Sequence, residues 1–328
     1  MAGAPRGREA AARPPFVDAH IHLWDLDRLR YPWLTPPFTD HGPNGSVAAI
    51  ARTFTVADYR AQASRWNMVG AVHVDAGADP AQSLEETRWL EEIAGADGLP
   101  TGIVAFAPLD DPQVERLLEA QAAHPRVCGI RQIVNWHPDP RRSYQPHDLT
   151  QSSAWQAGFA RLARHGLSFD LQCYPGQMPG LATLIARHPD VTAIINHLGM
   201  PVLSDPDGLA QWRVGVRRLA ALPNVAIKLS GLGFVDRHWT DTLVRPLLAE
   251  AIELFGPARC LIASDTPTDT LFAPFDRCLE VLAAATAAFS EDERRAMWGR
   301  NADRLYRLGL GPRLAPSSER GGRRCSIP

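Results

Sequence analysis

Two histidines, His20 and His22, stand two positions apart near the start of the chain, at the end of a short apolar run. Residues two apart in a strand point to the same face. Their imidazoles and the Asp18 carboxylate are therefore expected on one face, while residues 17, 19 and 21 point away. Two imidazoles at a strand end can provide nitrogen ligands for a divalent metal ion. A hydrogen-bonded histidine pair in a polar pocket explains the pattern equally well.

Other apolar runs also end in polar or titratable residues. These are His73 and Asp75, Arg131, Asp170 and Gln172, His197, Lys228 and Ser230, and Asp265. Each of them alone can be explained by an ion pair or a capped loop. Their joint placement at the ends of different runs indicates a reaction centre, because a purely structural core does not need so many titratable groups in one place.

Eight apolar runs carry these residues, at 16–22, 69–76, 102–108, 127–134, 167–173, 192–198, 224–231 and 260–264. Helix-length stretches separate most of them, most clearly at 113–123, 181–188, 240–255 and 275–289. Ser290 and Glu293 form a capping-box pattern for a further helix that runs to about Leu308. Alternating strands and helices indicate a parallel sheet that is buried on both faces.

The predicted fold is α/β, a single-domain (β/α)₈ TIM barrel over residues 15–310. Residues 1–14 are predicted to be a disordered leader, and residues 311–328 a disordered tail. A nucleotide-binding sheet would need a Gly-x-Gly-x-x-Gly turn after the first strand, and none is present there. Long insertions at 23–57 and 135–150 follow strands one and four, so they are expected at the C-terminal face, where barrel enzymes carry their active sites.

Composition narrows the classes of partner. The net charge is −2 and the basic residues are dispersed, which argues against nucleic acid and favours a small-molecule substrate. No apolar run approaches the roughly 18 residues that span a bilayer. Five cysteines without a paired spacing favour a reducing compartment, so a cytoplasmic location is expected. Aromatic residues of the first insertion can serve as a lid or as a homodimer contact.

The motifs together resemble the amidohydrolase-2 branch of the amidohydrolase superfamily, which includes sugar-acid lactonases. The resemblance begins with Asp18-Ala19-His20-Ile21-His22 and includes Asn196-His197-Leu198-Gly199 and Ser264-Asp265-Thr266-Pro267. It continues through residues 23–25, 31–34, 73–76, 129–132, 169–172, 228–232 and 301–302. It implies hydrolysis of a lactone or related cyclic ester, with catalysis by His20, His22, His197 and Asp265.

The same four residues, His20, His22, His197 and Asp265, are the candidate ligands of one divalent metal ion, with zinc as the expected metal. A two-metal centre is not expected, because no further strand-end histidine stands in the obvious place. Some lactonases of this branch resemble this pattern and work without metal, so metal-free catalysis stays open.

The roles expected within this site are as follows. Asp265 acts as general base toward water, and the three histidines polarise the carbonyl, directly or through the metal ion. Substrate binding is assigned to Arg131, Lys228, His73, Trp24 and Gln172, with Tyr31 and Trp33 beside Trp24 in a lid wall. For Lys228, an ion pair with Asp170, Asp75 or Asp265 is the preferred alternative, and a Schiff-base nucleophile is another.

Two other functions stay open. A mononuclear-metal decarboxylase of an unsaturated or aromatic carboxylic acid uses a similar barrel, but that branch typically has an additional strand histidine. A degenerate barrel that only binds a ligand would be expected to have lost the strand-end histidines and aspartate, which this chain retains.

Overall fold

The computed structural model of the protein describes residues 13–315. Its eight parallel strands pair in chain order. They are β1 Phe16–Ile21, β2 Met68–Val74, β3 Gly102–Phe106, β4 Val127–Arg131, β5 Ser168–Leu171, β6 Ala193–Ile195, β7 Val225–Leu229 and β8 Cys260–Ile262. The predicted (β/α)₈ barrel is confirmed.

Helices connect the strands on the outside of the barrel. They are α1 Val56–Gln62, α2 Ser83–Asp97, α3 Val114–Ala122, α4 Ser153–Arg161, α5 Met178–Ala186, α6 Gly208–Ala220, α7 Leu232–Val235, α8 Asp241–Phe255, α9 Phe275–Thr286, α10 Glu291–Arg295, α11 Asn301–Tyr306 and α12 Gly311–Leu314. The capping box at Ser290 and Glu293 forms as predicted. The helix that follows it contains a π-helical segment, Ala296–Arg300, between α10 and α11.

The barrel interior is filled by small and branched apolar side chains. They are Val17, Ala19, Val72, Val74, Val104, Cys128, Ile194, Ala226, Leu261 and Ala263. Seven strands contribute to this one cluster, which is separate from the core between strands and helices. The cluster therefore lies inside the barrel, as packed layers of side chains do in this fold.

The strict alternation predicted for β1 is wrong. Val17 and Ala19 lie in the interior cluster, whereas the carboxylate of Asp18 accepts a hydrogen bond from the hydroxyl of Tyr59 on α1 (3.1 Å). The register with β2 shifts between Asp18 and Ile21, where β1 carries one more residue than its partner. Such a bulge reverses the phase of the strand. It returns His20 and His22 to the barrel mouth and leaves Asp18 on the outside.

The barrel closes where β1 meets the residues that follow β8. The amide of Asp265 donates to the carbonyl of His20 (2.9 Å), and the amide of His22 donates to the carbonyl of Thr266 (2.8 Å). Asp18 strengthens this seam, because its Oδ1 accepts from the amides of His20 (3.3 Å) and Ser264 (2.9 Å). The seam therefore fixes two histidines and an aspartate relative to one another.

The last helices close the N-terminal end of the barrel. Tyr306, Leu310 and Leu314 join the interior cluster, and a Cβ added at Gly70, near the start of β2, would lie 2.6 Å from Leu310. The predicted disordered tail from residue 311 is therefore wrong for Gly311–Leu314, because burial of Leu314 holds this turn against the barrel. Residues 1–12 and 316–328, with most of the predicted leader and tail and with Cys325, lie outside the described residues.

Other expectations concern burial and partners. Within residues 13–315, Cys128, Cys173, Cys260 and Cys278 are buried and unpaired, and no helix is long and apolar enough to cross a membrane. Trp24 and Tyr31 of the first insertion are buried. These two side chains are therefore not exposed for the homodimer contact that the sequence suggested for aromatic residues of this insertion.

Replacing Leu310 with alanine is expected to reduce the free energy of unfolding by about 2–5 kcal/mol, because it opens a cavity under the barrel. Urea denaturation measures the change. Val214→Ala is the matched control, because Val214 is 52% exposed and its truncation should change stability by less than about 0.5 kcal/mol. Equal stabilities of the two variants would contradict the role given to the last turn.

Candidate active site

Three histidines and one aspartate meet at the C-terminal end of the barrel. Oδ1 of Asp265 lies 3.2 Å from Nε2 of His22, 3.4 Å from Nε2 of His20 and 3.9 Å from Nε2 of His197. The two Nε2 atoms of His20 and His22 are 3.2 Å apart. All four side chains are at least nine-tenths buried. The structure therefore brings together the four residues predicted to be catalytic.

The other ring nitrogen of each histidine has its own neighbour. Nδ1 of His22 donates to the carbonyl of Val74 (2.7 Å), which leaves the Nε2 lone pair free. Nδ1 of His197 lies 3.2 Å from the hydroxyl of Ser230. Nδ1 of His20 lies 3.3 Å from Nζ of Lys228. A lysine ammonium can only donate, so it would place the proton of neutral His20 on Nε2.

Burial controls the charges in this cluster. It lowers the pKa of His22 to about 3 and holds the pKa values of His20 and His197 well below their usual range. Burial also raises the pKa of Asp265 to about 8, although the cations of Arg131 and Lys228 oppose the rise. The imidazoles are therefore neutral near pH 7, the form in which histidine binds metal ions or accepts protons.

The backbone is strained at two of these residues. His197 and Asp265 have φ angles of 53° and 55°, in the left-handed region that side chains other than glycine rarely adopt. Gly231, with a φ of 65°, packs directly against His197, and a Cβ there would lie 2.3 Å from the Cβ of His197. Strain of this kind persists where the surrounding structure enforces it, and it is concentrated at functional sites.

The donor set fits one divalent ion in its spacing. His20, His197 and Asp265 each offer one ligand atom, and these three atoms lie within 4.8 Å of one another. Nε2 of His22 lies 3.2 Å from Nε2 of His20 and 3.2 Å from Oδ1 of Asp265. Two ligands about 2.0–2.1 Å from a tetrahedral zinc ion are separated by roughly 3.4 Å, close to several of these distances. The spacing therefore offers a candidate metal site, in which Nε2 of His20 has a free lone pair only when its proton is on Nδ1 and Lys228 does not donate there.

A cavity of about 220 Å³ opens above the cluster, a small volume for a ligand pocket. Trp33, Tyr144 and Phe234 provide aromatic walls, and Ala76, Gly77 and Ile133 complete the apolar surface. The polar lining consists of His22, Asn44, Arg131, Gln172, His197, Asp265 and Thr268. The cavity therefore combines a reactive floor with walls that suit a small ring compound.

Two of the residues assigned to substrate binding line this cavity. Arg131 is fixed from behind, because its guanidinium donates to the carbonyl of Asp75 and its Nε lies 3.4 Å from the Asp75 carboxylate. Gln172 accepts a hydrogen bond from Arg131 (3.1 Å). Both side chains are buried, and they present polar atoms to the cavity from β4 and from just after β5.

Three other residues assigned to substrate binding do not line the cavity. Nδ1 of His73 accepts from the amide of Leu23 (3.2 Å) on the far side of β2. Trp24 lies behind His22, with a ring distance of 6.4 Å, and donates to the carbonyl of Arg52 (2.6 Å). Lys228 is buried beneath His20. His73 points away from the barrel interior because side chains alternate along β2, and Val72 and Val74 take the interior positions.

Lys228 forms an ion pair with Asp170, the first of the partners suggested by the sequence. Both residues are fully buried, and the hydroxyl of Tyr306 donates to the Asp170 carboxylate, 3.0 Å from each oxygen. A buried ion pair needs such extra hydrogen bonds to offset the loss of water. Lys228 therefore belongs to a polar layer below the reaction floor.

Sequence reasoning did not single out Asn44, Phe234 and Thr268. Thr268 follows Asp265 by three residues in a short 3₁₀ turn, so proximity could have indicated it. Asn44 lies in a loop and Phe234 in the single turn of α7, and neither segment is long enough for a periodic pattern to indicate the direction of a side chain. Trp33, which was predicted for a lid wall, lines the cavity from the first insertion, and Tyr144 lines it from the second.

Comparison with known proteins agrees with this geometry. The family model Amidohydro_2, described as amidohydrolase, matches residues 17–308. The chain belongs to the amidohydrolase family. It is an amidohydrolase-family hydrolase, as the motifs predicted.

Three similar proteins cover nearly the whole chain. The protein y4mH of Sinorhizobium fredii is 40% identical over 293 residues, which are 89% of this chain and 98% of that protein. An L-fucono-1,5-lactonase of Burkholderia multivorans is 29% identical over 305 residues, 89% of this chain and 96% of the lactonase. A zinc-bound crystal structure of a Burkholderia multivorans amidohydrolase has a TM-score of 0.74 at 27% identity, covering 90% and 99% of the two chains.

Gly231→Ala is expected to destabilise the protein by more than the cost of a left-handed alanine, because the new methyl group would collide with His197. Gly98→Ala is the matched control, with a φ of 75° and no atom within 4 Å of an added Cβ. The control should cost about 1 kcal/mol, and Gly231→Ala at least about 1 kcal/mol more, measured by urea denaturation. If both changes cost the same, His197 is not held by this contact.

Proposed function

We propose that this amidohydrolase-family hydrolase opens the ring of a lactone or related cyclic ester. The observation that carries the proposal is the placement of Asp265 at the cavity floor. Its Oδ1 faces three imidazole nitrogens, and its Oδ2 is buried without a hydrogen-bond partner among the described residues. One oxygen is thus engaged by the cluster, while the other has no partner among the described residues that would compete with an attacking water.

The nature of the substrate is supported by similarity and by the cavity. The Burkholderia relatives carry the name L-fucono-1,5-lactonase, which describes the hydrolysis of a sugar-acid lactone. The cavity here is small and partly aromatic, with Arg131, Gln172 and Asn44 as polar groups. A single oxygenated ring fits this combination of size and polarity.

The chemistry follows from these positions. In its ionised form, which a pKa of about 8 makes more populated as the pH rises toward and above that value, Asp265 accepts a proton from water at Oδ2 as the water oxygen forms a bond to the lactone carbonyl carbon. The ring C–O bond then breaks, and Asp265 returns the proton to the leaving alkoxide. The neutral imidazoles of His20, His22 and His197 stand beside the developing oxyanion, and Arg131 orients the substrate through the guanidinium hydrogens that Asp75 and Gln172 leave free.

We further propose that His20, His197 and Asp265, with His22 beside them, hold one divalent ion, with zinc as the expected metal. Such an ion would supply a Lewis acid to polarise the carbonyl. The spacing of the donor atoms and the zinc bound to the similar Burkholderia multivorans structure support this assignment.

Asp265→Asn is expected to lower kcat on the best substrate of a sugar-lactone panel by at least about a hundredfold, because the amide cannot accept the water proton. Ring opening is followed by acid release at constant pH. Asp97→Asn is the matched control, since Asp97 is exposed at the end of α2 and lies outside the site. Wild-type turnover by folded Asp265→Asn protein would contradict the role of Asp265 as general base.

A wild-type protein that opens no lactone but releases CO₂ from an aromatic acid would instead support the decarboxylase alternative.

Metal binding is tested separately from activity. Wild-type protein loaded with zinc and dialysed is expected to retain about one equivalent, and His197→Ala is expected to lose most of it, as measured by mass spectrometry of the metal. His238→Ala, at an exposed position outside the cluster, should retain zinc like the wild type. Equal zinc in His197→Ala and wild type, or none in either, would contradict the assignment.

A further inference from the structure

Asn44 carries a buried polar atom that the mechanism does not use. Its side chain lines the cavity, and its Oδ1 is buried without a hydrogen-bond partner among residues 13–315. Buried side-chain oxygens nearly always accept a hydrogen bond from protein, water or ligand. Because the Asn44 side chain lines a cavity suited to a substrate, we take the substrate as the source of this hydrogen bond.

The loop around Asn44 is fixed from both sides by one residue. Arg237, just after α7, donates from Nε to the carbonyl of Pro43 (3.2 Å) and from Nη2 to the carbonyl of Gly42. On the other side, a Cβ added at Gly45 would lie 2.8 Å from Nη1 of Arg237. The guanidinium therefore packs against the residues immediately before and after Asn44.

Within the described part of the chain, Arg237 makes no other side-chain hydrogen bond and no ion pair. Its side chain is exposed, so the charge stays hydrated while the planar fork holds two backbone carbonyls. Gly42 and Gly45 have φ angles of 87° and 66°, which let the loop turn closely around the guanidinium. The contact thus serves to set the position of this loop.

We propose that Asn44 is a specificity-determining residue that accepts a hydrogen bond from a ring hydroxyl of the substrate, and that Arg237 is its positioning residue. The proposal rests on the lactone hydrolase function given above. The carbonyl and the ring oxygen of a lactone carry no hydrogen, so neither can donate to Oδ1 of Asn44. The donor has to be a hydroxyl substituent, which an unsubstituted lactone lacks.

Tyr144 supplies a second group of the same kind from the other insertion. Its hydroxyl is also buried without a partner in the described chain, and the residue lines the same cavity. Each insertion therefore contributes one cavity-lining residue with a buried hydrogen-bonding atom that has no partner among the described residues. A substrate with several hydroxyls satisfies both, whereas a plain lactone leaves both unpaired, and unpaired buried groups weaken binding.

The test compares a polyhydroxylated δ-lactone with a series in which one ring hydroxyl at a time is removed. Wild type is expected to lose about tenfold in kcat/KM on one member of the series. Asn44→Ala should lose about tenfold on the parent lactone, mainly through KM, and should no longer distinguish the parent from that member. Asn67→Ala, an exposed asparagine outside the cavity, is the control and should behave like wild type.

Arg237→Ala is expected to reproduce the loss of discrimination, because the loop is released although Asn44 is still present. Arg218→Ala, at an exposed arginine on α6, is its control. If Asn44→Ala keeps the wild-type preference among the lactones, the proposal is overturned. If Arg237→Ala keeps it, Arg237 is not a positioning residue.

The role of Asn44 in ligand recognition can be tested even if the protein does not hydrolyse lactones. If the wild type opens none of the lactones, calorimetry with the open-chain hydroxy acid and its deoxy counterparts replaces the kinetic assay. A wild-type preference for the hydroxylated acid that Asn44→Ala abolishes supports Asn44 as a recognition residue. Equal preferences in both proteins, or no binding of either acid, overturn the inference.

Discussion

Closure of the barrel places the reactive groups. Eight strands form a complete ring only if the end of the last one bonds to the first, and here these bonds join the backbones of His20 and Asp265 and of His22 and Thr266. The side chains at this seam then converge on the barrel axis. The bulge in β1 and the left-handed φ of Asp265 both occur there. The seam thus fixes fold and reaction centre together.

Below the seam, polarity changes in layers. The lower interior is apolar, the Lys228 and Asp170 ion pair lies above it, and neutral imidazoles form the reaction floor. Full burial of charges is tolerated when each one is paired and hydrogen-bonded. The Lys228 ammonium also reaches His20, so the ion pair influences which ring nitrogen of that histidine carries a proton. Lys228 therefore contacts both the buried ion-pair partner Asp170 and the histidine cluster at the reaction floor.

The sequence predicted the barrel and the four central residues because strand ends carry polar residues that the buried strands otherwise exclude. The predicted side-chain directions were wrong where a strand departs from simple alternation or where its phase was assigned incorrectly. The bulge reverses Asp18, and the phase of β2 turns His73 away from the cavity. Loop residues such as Asn44 were beyond reach, because the direction of a loop side chain depends on distant contacts, here with Arg237.

The hydrogen bonds of Tyr306 have a consequence for synthesis of the protein. The ribosome produces His20 first, and then Asp170 and Lys228, long before Tyr306. In the folded protein, Tyr306 completes the hydrogen bonding of the ion pair and helps to close the lower end of the barrel. A chain cut short by a stop codon before this codon would contain every residue of the reaction floor and still lack the support beneath it. Such a fragment is therefore expected to be less stable than the full chain, although its reactive residues are complete.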